Sequence, residues 1–171
     1  AQRRGQILEP AVADWYALET GQRVLTLDVA DLPLRGPESF TLASPDRLVP
    51  AEGYEGAGVD FRFAVQHRGD HHTSVEGPVR GFICGLEVKT ARSLAGWGDP
   101  GSDKIPVEKW IQCAWYMYVC DIDRWDVAVY FPMADEFRTY TLVRDRALEE
   151  RIVERAGHWW RVHVEADTPP A

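Results

Sequence analysis

The stretch from Gly81 to Thr90, GFICGLEVKT, constrains the fold more than any other part of the chain. With the two-residue period of a strand, Phe82, Cys84, Leu86 and Val88 share one face, and Ile83, Gly85, Glu87 and Lys89 share the other. The first face is wholly apolar and needs a hydrophobic layer laid against it. On the second, Ile83 and Gly85 read as buried or closely approached, and the face then ends in a carboxylate and an ammonium side by side. A strand that needed only solubility there would more often carry Thr, Ser or scattered charge. The pattern predicts a central strand with a charged pair at the mouth of a pocket.

Around that strand the chain divides by periodicity. Gly5 to Thr20 carries Leu8, Ala11, Val12, Trp15 and Tyr16 at helical spacing, with Gly21 as its stop and a separate or kinked first turn at Pro10. Glu9, beside Leu8, reads from position alone as a solvated first-turn acid. Gln22 to Gly36 alternates through Leu25, Leu27 and Val29 and breaks at Pro33, which predicts one short strand and a loop. Phe40 to Ala43 and Leu48 to Val49 read as a hairpin-like pair around Ser44-Pro45-Asp46, or as one strand bent at the proline. Ala51 to Arg80 is rich in glycine and reads as a loop excursion with room for one hairpin, for instance through Val59 to Val65.

Ala91 to Lys104 reads as a flexible loop beside the charged pair. Pro106 then opens a helix, where its missing N–H costs nothing, and Trp110, Ile111, Ala114, Trp115, Met117 and Tyr118 give that helix a broad apolar surface. Gln112 is the polar exception; it reads equally as an outward-facing residue or as an amide bonding into the cleft. Asp121, Asp123 and Asp126 read as turn residues before a strand from Val127 to Phe131, and Phe137 to Val143 forms another strand. Arg144 to about Glu165 is a long helix that ends before Pro169-Pro170. The order predicts an α/β fold, a mixed sheet with helices packed on it, in a single domain spanning 1–171 with a loop-rich insertion at about 51–80.

Composition narrows the function classes. No run approaches the roughly 18 apolar residues that span a bilayer, and no secretory signal is visible, so a cytoplasmic protein is expected. The chain begins with Ala rather than Met, which predicts that an upstream segment precedes it. Cys84, Cys113 and Cys120 lack C-x-x-C spacing and read as buried free thiols, not as a disulfide or an iron–sulfur site. His67, His71 and His72 have no cysteine nearby to close a zinc tetrahedron and read as an exposed polar loop. The aspartates near 121–126 lack the glycine and bidentate Glu of a calcium loop. A net charge of −8 argues against gripping nucleic acid with the whole surface, but a local groove remains open, because divalent cations and a few arginines can supply the field.

Ser44-Pro45-Asp46 followed by a strand ending in Glu87-Val88-Lys89 resembles the PD-(D/E)xK nuclease pattern. Pro-Asp alone is a common turn, and Glu-x-Lys alone occurs by chance. The likeness is narrower than that superfamily. RGQILEPAVADWYALETGQRV, SPDRLV, GLEVKT and IPVEKWIQCAWYMYV each resemble a block of the YqaJ-type viral recombinases, the group that includes lambda exonuclease, and WDVAVYFP and FRTYTLVRDRALEE continue the pattern. Ala51 to Arg80 is not covered.

The resemblance implies a restriction-endonuclease-like core and a metal-dependent DNA nuclease, a 5′-to-3′ exonuclease on linear duplex serving recombination. An endonuclease or nickase on the same core, or a catalytically silent DNA-binding or assembly module, are the alternatives. It implies that Asp46 and Glu87 coordinate Mg²⁺ (or Mn²⁺) with the Val88 carbonyl, and that Glu9 helps hold a metal from the opposite wall. It also implies that Lys89 positions or deprotonates the attacking water and that Gln112 orients the site. Arg3, Arg4, Arg47, Arg80 and Arg92 are candidate phosphate contacts. A single-strand annealing partner and a ring-shaped trimer are further implications. Arg47 departs from the pattern, which has Gly after Ser-Pro-Asp.

Overall fold

The structure, a computed structural model, describes residues 2–26, 33–54, 64–66, 73–76 and 81–170, and the side chains of these except Gln2, Arg4, 64–66 and 73–76. In chain order the elements are α1 (Gln2–Thr20), β1 (Leu25–Thr26), β2 (Leu34–Arg35), β3 (Leu42–Ala43), β4 (Arg47–Pro50), β5 (Ala64–Gln66), β6 (Thr73–Glu76) and β7 (Phe82–Thr90). Then follow α2 (Val107–Cys120), β8 (Arg124–Phe131), β9 (Glu136–Val143) and α3 (Arg146–Trp160), which one π-helical stretch, Arg161–Glu165, prolongs.

The main sheet is mixed, in the order β1-β4-β7-β8-β9; only the β7–β8 pair is parallel. As predicted, β7 lies at its centre. Cys84, Leu86 and Val88 pack with Val12, Ala13 and Tyr16 of α1, while the opposite face of the sheet packs beneath α2. A parallel pair needs a crossover between its strands, and α2 supplies it, covering the face that carries Glu87. Helix α3 then packs beside α2, with Leu148 and Ile152 against the same core. The expected mixed α/β sheet with helices on it is therefore the observed architecture.

Gly85 explains why β7 can be buried on both faces. A Cβ there would come within 2.3 Å of the Trp125 indole, so the bare backbone makes room for the largest side chain of the core. Ile83 departs from expectation: it is exposed, because α2 covers only the C-terminal part of that face. Gly21, at φ +67°, ends α1 with its N–H on the Ala17 carbonyl at 2.9 Å. Pro10 does not divide the helix; it sits on the exposed side of a continuous α1, where the carbonyl it leaves without a partner can meet water.

Three expectations are corrected. β3 and β4 do not pair around Ser44-Pro45-Asp46: the chain leaves one sheet at Ala43 and enters the other at Arg47. The excursion after Ala51 contributes a hairpin, β5 with β6, further along than Val59 to Val65. That hairpin joins β2 and β3 in a second sheet of order β3-β2-β6-β5, which the loop reading missed. Asp126 belongs to β8 and is buried. It is fully bonded there, by the Tyr16 hydroxyl at 2.6 Å, by Arg124 at 2.6 and 3.0 Å, and by the Thr141 hydroxyl at 2.9 Å, as a buried carboxylate requires.

Asp121 and Asp123 do lie at the turn expected of them, and both hold Arg144. The loop after β7 is anchored: the Gly98 carbonyl accepts from Arg138 and the Tyr140 hydroxyl, and Trp97 packs edge-on to Phe131. All three cysteines are buried free thiols. His67, His71, His72 and Arg80 lie outside the described residues. No helix among the described residues is long and apolar enough to cross a membrane.

Candidate active site

The site forms where β7 emerges from under α2. The bend through Ser44 and Pro45 aims Asp46 across at β7, and its Oδ2 accepts the Val88 N–H at 2.8 Å. That bond bridges 42 positions of sequence and joins the two halves of the motif in space. One residue earlier on β7, on the α2 side of the sheet, stands Glu87, 1% exposed. Its Oε1 accepts the Gln112 amide at 2.8 Å and a short bond from the Lys89 ammonium, while its Oε2 is buried with no partner.

Gln112 therefore faces the cleft. Its amide nitrogen also donates to the Tyr116 hydroxyl, at 3.1 Å, so Glu87 and Tyr116 together fix which way the amide points. Helix geometry makes the arrangement possible, since Gln112 and Tyr116 lie one turn apart on the same side of α2.

The electrostatics are those of two carboxylates held too close. Burial, and then the charge of Asp46, push the Glu87 carboxyl up to about 7, against the pull of Lys89 and Lys109. Asp46 is likewise raised, by burial first, although the Val88 N–H and Lys89 favour its charged form. For Lys89, burial works to lower the pKa, but Glu87 and Asp46 outweigh it and leave it raised. Lys89 is thus a firmly protonated ammonium.

Glu9 and Arg47 pair with each other. Glu9, on α1, accepts from Arg47 Nη1 at 2.8 Å, and the same Nη1 donates to the Asp46 carbonyl. Glu9 lies in the third turn of α1, not the first, and is only partly solvated. Arg3 is exposed near the start of α1, and Arg92 is exposed two residues beyond β7. Gly5 of α1 sits beside Thr90, so both arginines flank the end of β7 that carries Lys89. The Arg4 side chain is outside the described residues.

A divalent ion fits this donor set on one observation above the others. Glu87 Oε2 is an orphaned buried oxygen next to a second carboxylate, and burying it without a partner is costly. The donors are hard oxygens, which suit Mg²⁺ or Mn²⁺ over softer metals. Among the described residues no three His, Cys, Asp or Glu side chains converge as a ready-made cage; Asp46, Glu87 and the Val88 carbonyl supply oxygens that could hold an ion at this spot.

Reasoning from the sequence overlooked two participants. Lys109 acts on Glu87 from α2, and Tyr116 steadies Gln112, its own hydroxyl pushed up to about 12 by burial. Their spacing of three and four residues from Gln112 was the available signal.

The family model of the YqaJ-like viral recombinase domain matches residues 1–123. The chain belongs to this family. The matched span takes in Glu9, Asp46, Glu87, Lys89 and Gln112, and the fold carries the likeness further. An alkaline exonuclease (LHK-Exo) from Laribacter hongkongensis superposes with a TM-score of 0.63 at 21% identity, over 98% of this chain and 70% of that one. The complex of LHK-Exo with dAMP gives the same TM-score, 0.63, at 22% identity and the same coverage. This YqaJ-family chain thus has the alkaline exonuclease fold. No curated protein matches it significantly.

Proposed function

We propose that this YqaJ-family protein is a divalent-metal-dependent deoxyribonuclease, a 5′-to-3′ exonuclease on linear duplex DNA that acts in recombination beside a single-strand annealing protein. The observation that carries the reading is the convergence of Asp46, Glu87 and Lys89 at one spot, with a buried carboxylate oxygen left over. The exonuclease fold supports it, and the dAMP complex of LHK-Exo supports a mononucleotide as the product class. The buried free thiols accord with work in the cytoplasm.

Asp46 Oδ1, Glu87 Oε2 and the Val88 carbonyl would hold Mg²⁺. When bound, the ion polarises the scissile phosphate and acidifies a coordinated water. Lys89, protonated and tethered to Glu87, orients the attacking water and offsets charge that builds on the phosphate oxygens. Gln112 holds Glu87 in the rotamer that presents Oε2. Arg3 and Arg92 would meet flanking phosphates.

The test is incubation with end-labelled linear and closed circular duplex, with and without Mg²⁺. Loss of the linear form alone, from the 5′ end, is expected; nicked circles would point to an endonuclease, and shifted but intact DNA to a binding module. Asp46→Asn and Lys89→Ala should each lower the rate by at least ~100-fold with the circular dichroism spectrum unchanged. Unaltered rates in both would place the chemistry elsewhere.

A further inference from the structure

Asp46 and Glu87 meet at this site with Lys89, and a third carboxylate, Glu9, is joined to it through Arg47. Lys89 bonds one oxygen of Glu87 and leaves the other bare. Arg47 instead closes off the opposite wall. A single nitrogen, Nη1, takes both the Glu9 carboxylate and the Asp46 carbonyl, two hard oxygens of the kind that would otherwise receive a cation. β4 sets this up, because Arg47 pairs with Leu86 on the face that α1 covers, while Asp46, one position earlier, turns to Val88. The Arg47 side chain is 12% exposed, so an ion entering at Glu9 must either displace a largely buried guanidinium or sit beside it against like charge.

We propose that Arg47 is the resident cation of the Glu9 wall, so that the site takes a single divalent ion, on the Asp46–Glu87 side, and Glu9 is not one of its ligands. This rests on the nuclease reading above, and it changes what Glu9 does there. The Glu9 charge holds Arg47 in place. Arg47 supplies, as part of the polypeptide, the positive charge that a second ion would bring to the phosphate. Removing the guanidinium frees the Glu9 carboxylate and the Asp46 carbonyl together and opens a second cation site.

The experiment is titration of the DNA-free protein with Mn²⁺, with free ion read by electron paramagnetic resonance and heat by calorimetry. One ion per chain is expected. Glu9→Gln should leave the affinity within ~3-fold, because Glu9 already has its partner. Arg47→Ala, and Arg47→Met as a variant of similar volume, should bind a second ion or bind about tenfold more tightly, and the gain should vanish when Glu9→Gln is added.

Two ions per wild-type chain, or a loss of about tenfold or more in Glu9→Gln alone, would overturn the proposal. So would Arg47 variants that fold, by circular dichroism, and bind as wild type does. Asp46→Asn separates the two readings: if it still binds the ion, the metal-site reading itself fails, whereas loss of binding there leaves the Arg47 outcomes to decide the proposal.

Discussion

Glu87 is the most unfavourably placed ionisable group of the site, and replacing it with Gln should make the metal-free protein more stable in a pH-dependent way. Its carboxyl has a folded pKa of about 7 against an ordinary 4.5. Between those values the folded chain keeps a proton that the unfolded chain releases. Stability therefore falls as pH rises through that window and levels off above it. At ~1.36 kcal/mol per pKa unit the whole penalty is ~3.4 kcal/mol, of which ~0.8 is already present at about pH 5, leaving ~2.5 kcal/mol to appear by about pH 8. Wild type overlays this on every other titration, but the difference between Glu87→Gln and wild type isolates it. In the variant Lys89 loses Glu87 as a counter-ion and keeps the Asp46 charge against the burial that lowers its pKa. Urea unfolding in EDTA at a series of pH values should show Glu87→Gln gaining ~2–3 kcal/mol on wild type between about pH 5 and about pH 8. Mg²⁺ should then stabilise wild type at the upper end and leave the variant unmoved. A difference that stays flat within ~0.5 kcal/mol, or that falls with pH, would refute the reasoning.

Gln112→Ala should weaken Mg²⁺ binding and turnover by about 10-fold or more, with little change in KM for DNA, because the amide hydrogens are spent on Glu87 and Tyr116. Gln112→Glu, which sets a third carboxylate against Glu87, should cost more. Gly85→Ala should destabilise the fold by ~1–3 kcal/mol through the clash with Trp125, lowering Tm by several degrees with no change in the pH profile of hydrolysis.

The parts of the fold that were legible in the sequence are those written in local periodicity. β7, α1, α2 and α3 each carry a long alternating or helical pattern, and the structure places them as read. What escaped was short or distant. β2 is two residues long, too brief for any period, so although the sequence predicts a strand at Phe40 to Ala43 and a hairpin within 51–80, it does not predict their union with β2 in a second sheet. Asp126 reads as a turn residue because its three partners come from Tyr16, Arg124 and Thr141, and two of those lie on other elements. The site divides along the same line. Glu87 and Lys89 are neighbours on one strand face, and Pro-Asp marks the bend that aims Asp46, so the trio could be named before any coordinates. The Glu9–Arg47 pair, 38 residues apart, depends on how α1 lies across β4, and neither residue's neighbourhood announces it. Gln112 was undecided between two faces until Glu87 and Tyr116 took both of its amide hydrogens.

That pair also bears on how an acidic chain meets a polyanion. With a net charge of −8 the long-range field repels DNA, and the cations of the site are already committed, Lys89 to Glu87 and Arg47 to Glu9. Lys109 acts on Glu87 only from beyond bonding distance, and the directly bonded groups alone, Asp46, Glu87 and Glu9 against Lys89 and Arg47, leave the cluster one charge negative, which is a poor place for a phosphate. A single divalent ion on Asp46 and Glu87 makes it one charge positive. Because the cluster is largely screened from water, that reversal acts at an effective dielectric well below that of bulk solvent. On the proposed reading the ion does two things at once, relieving the Asp46–Glu87 repulsion and reversing the local sign. Arg47 is what allows one ion to suffice, since without the guanidinium the same single ion would only bring the cluster to neutrality.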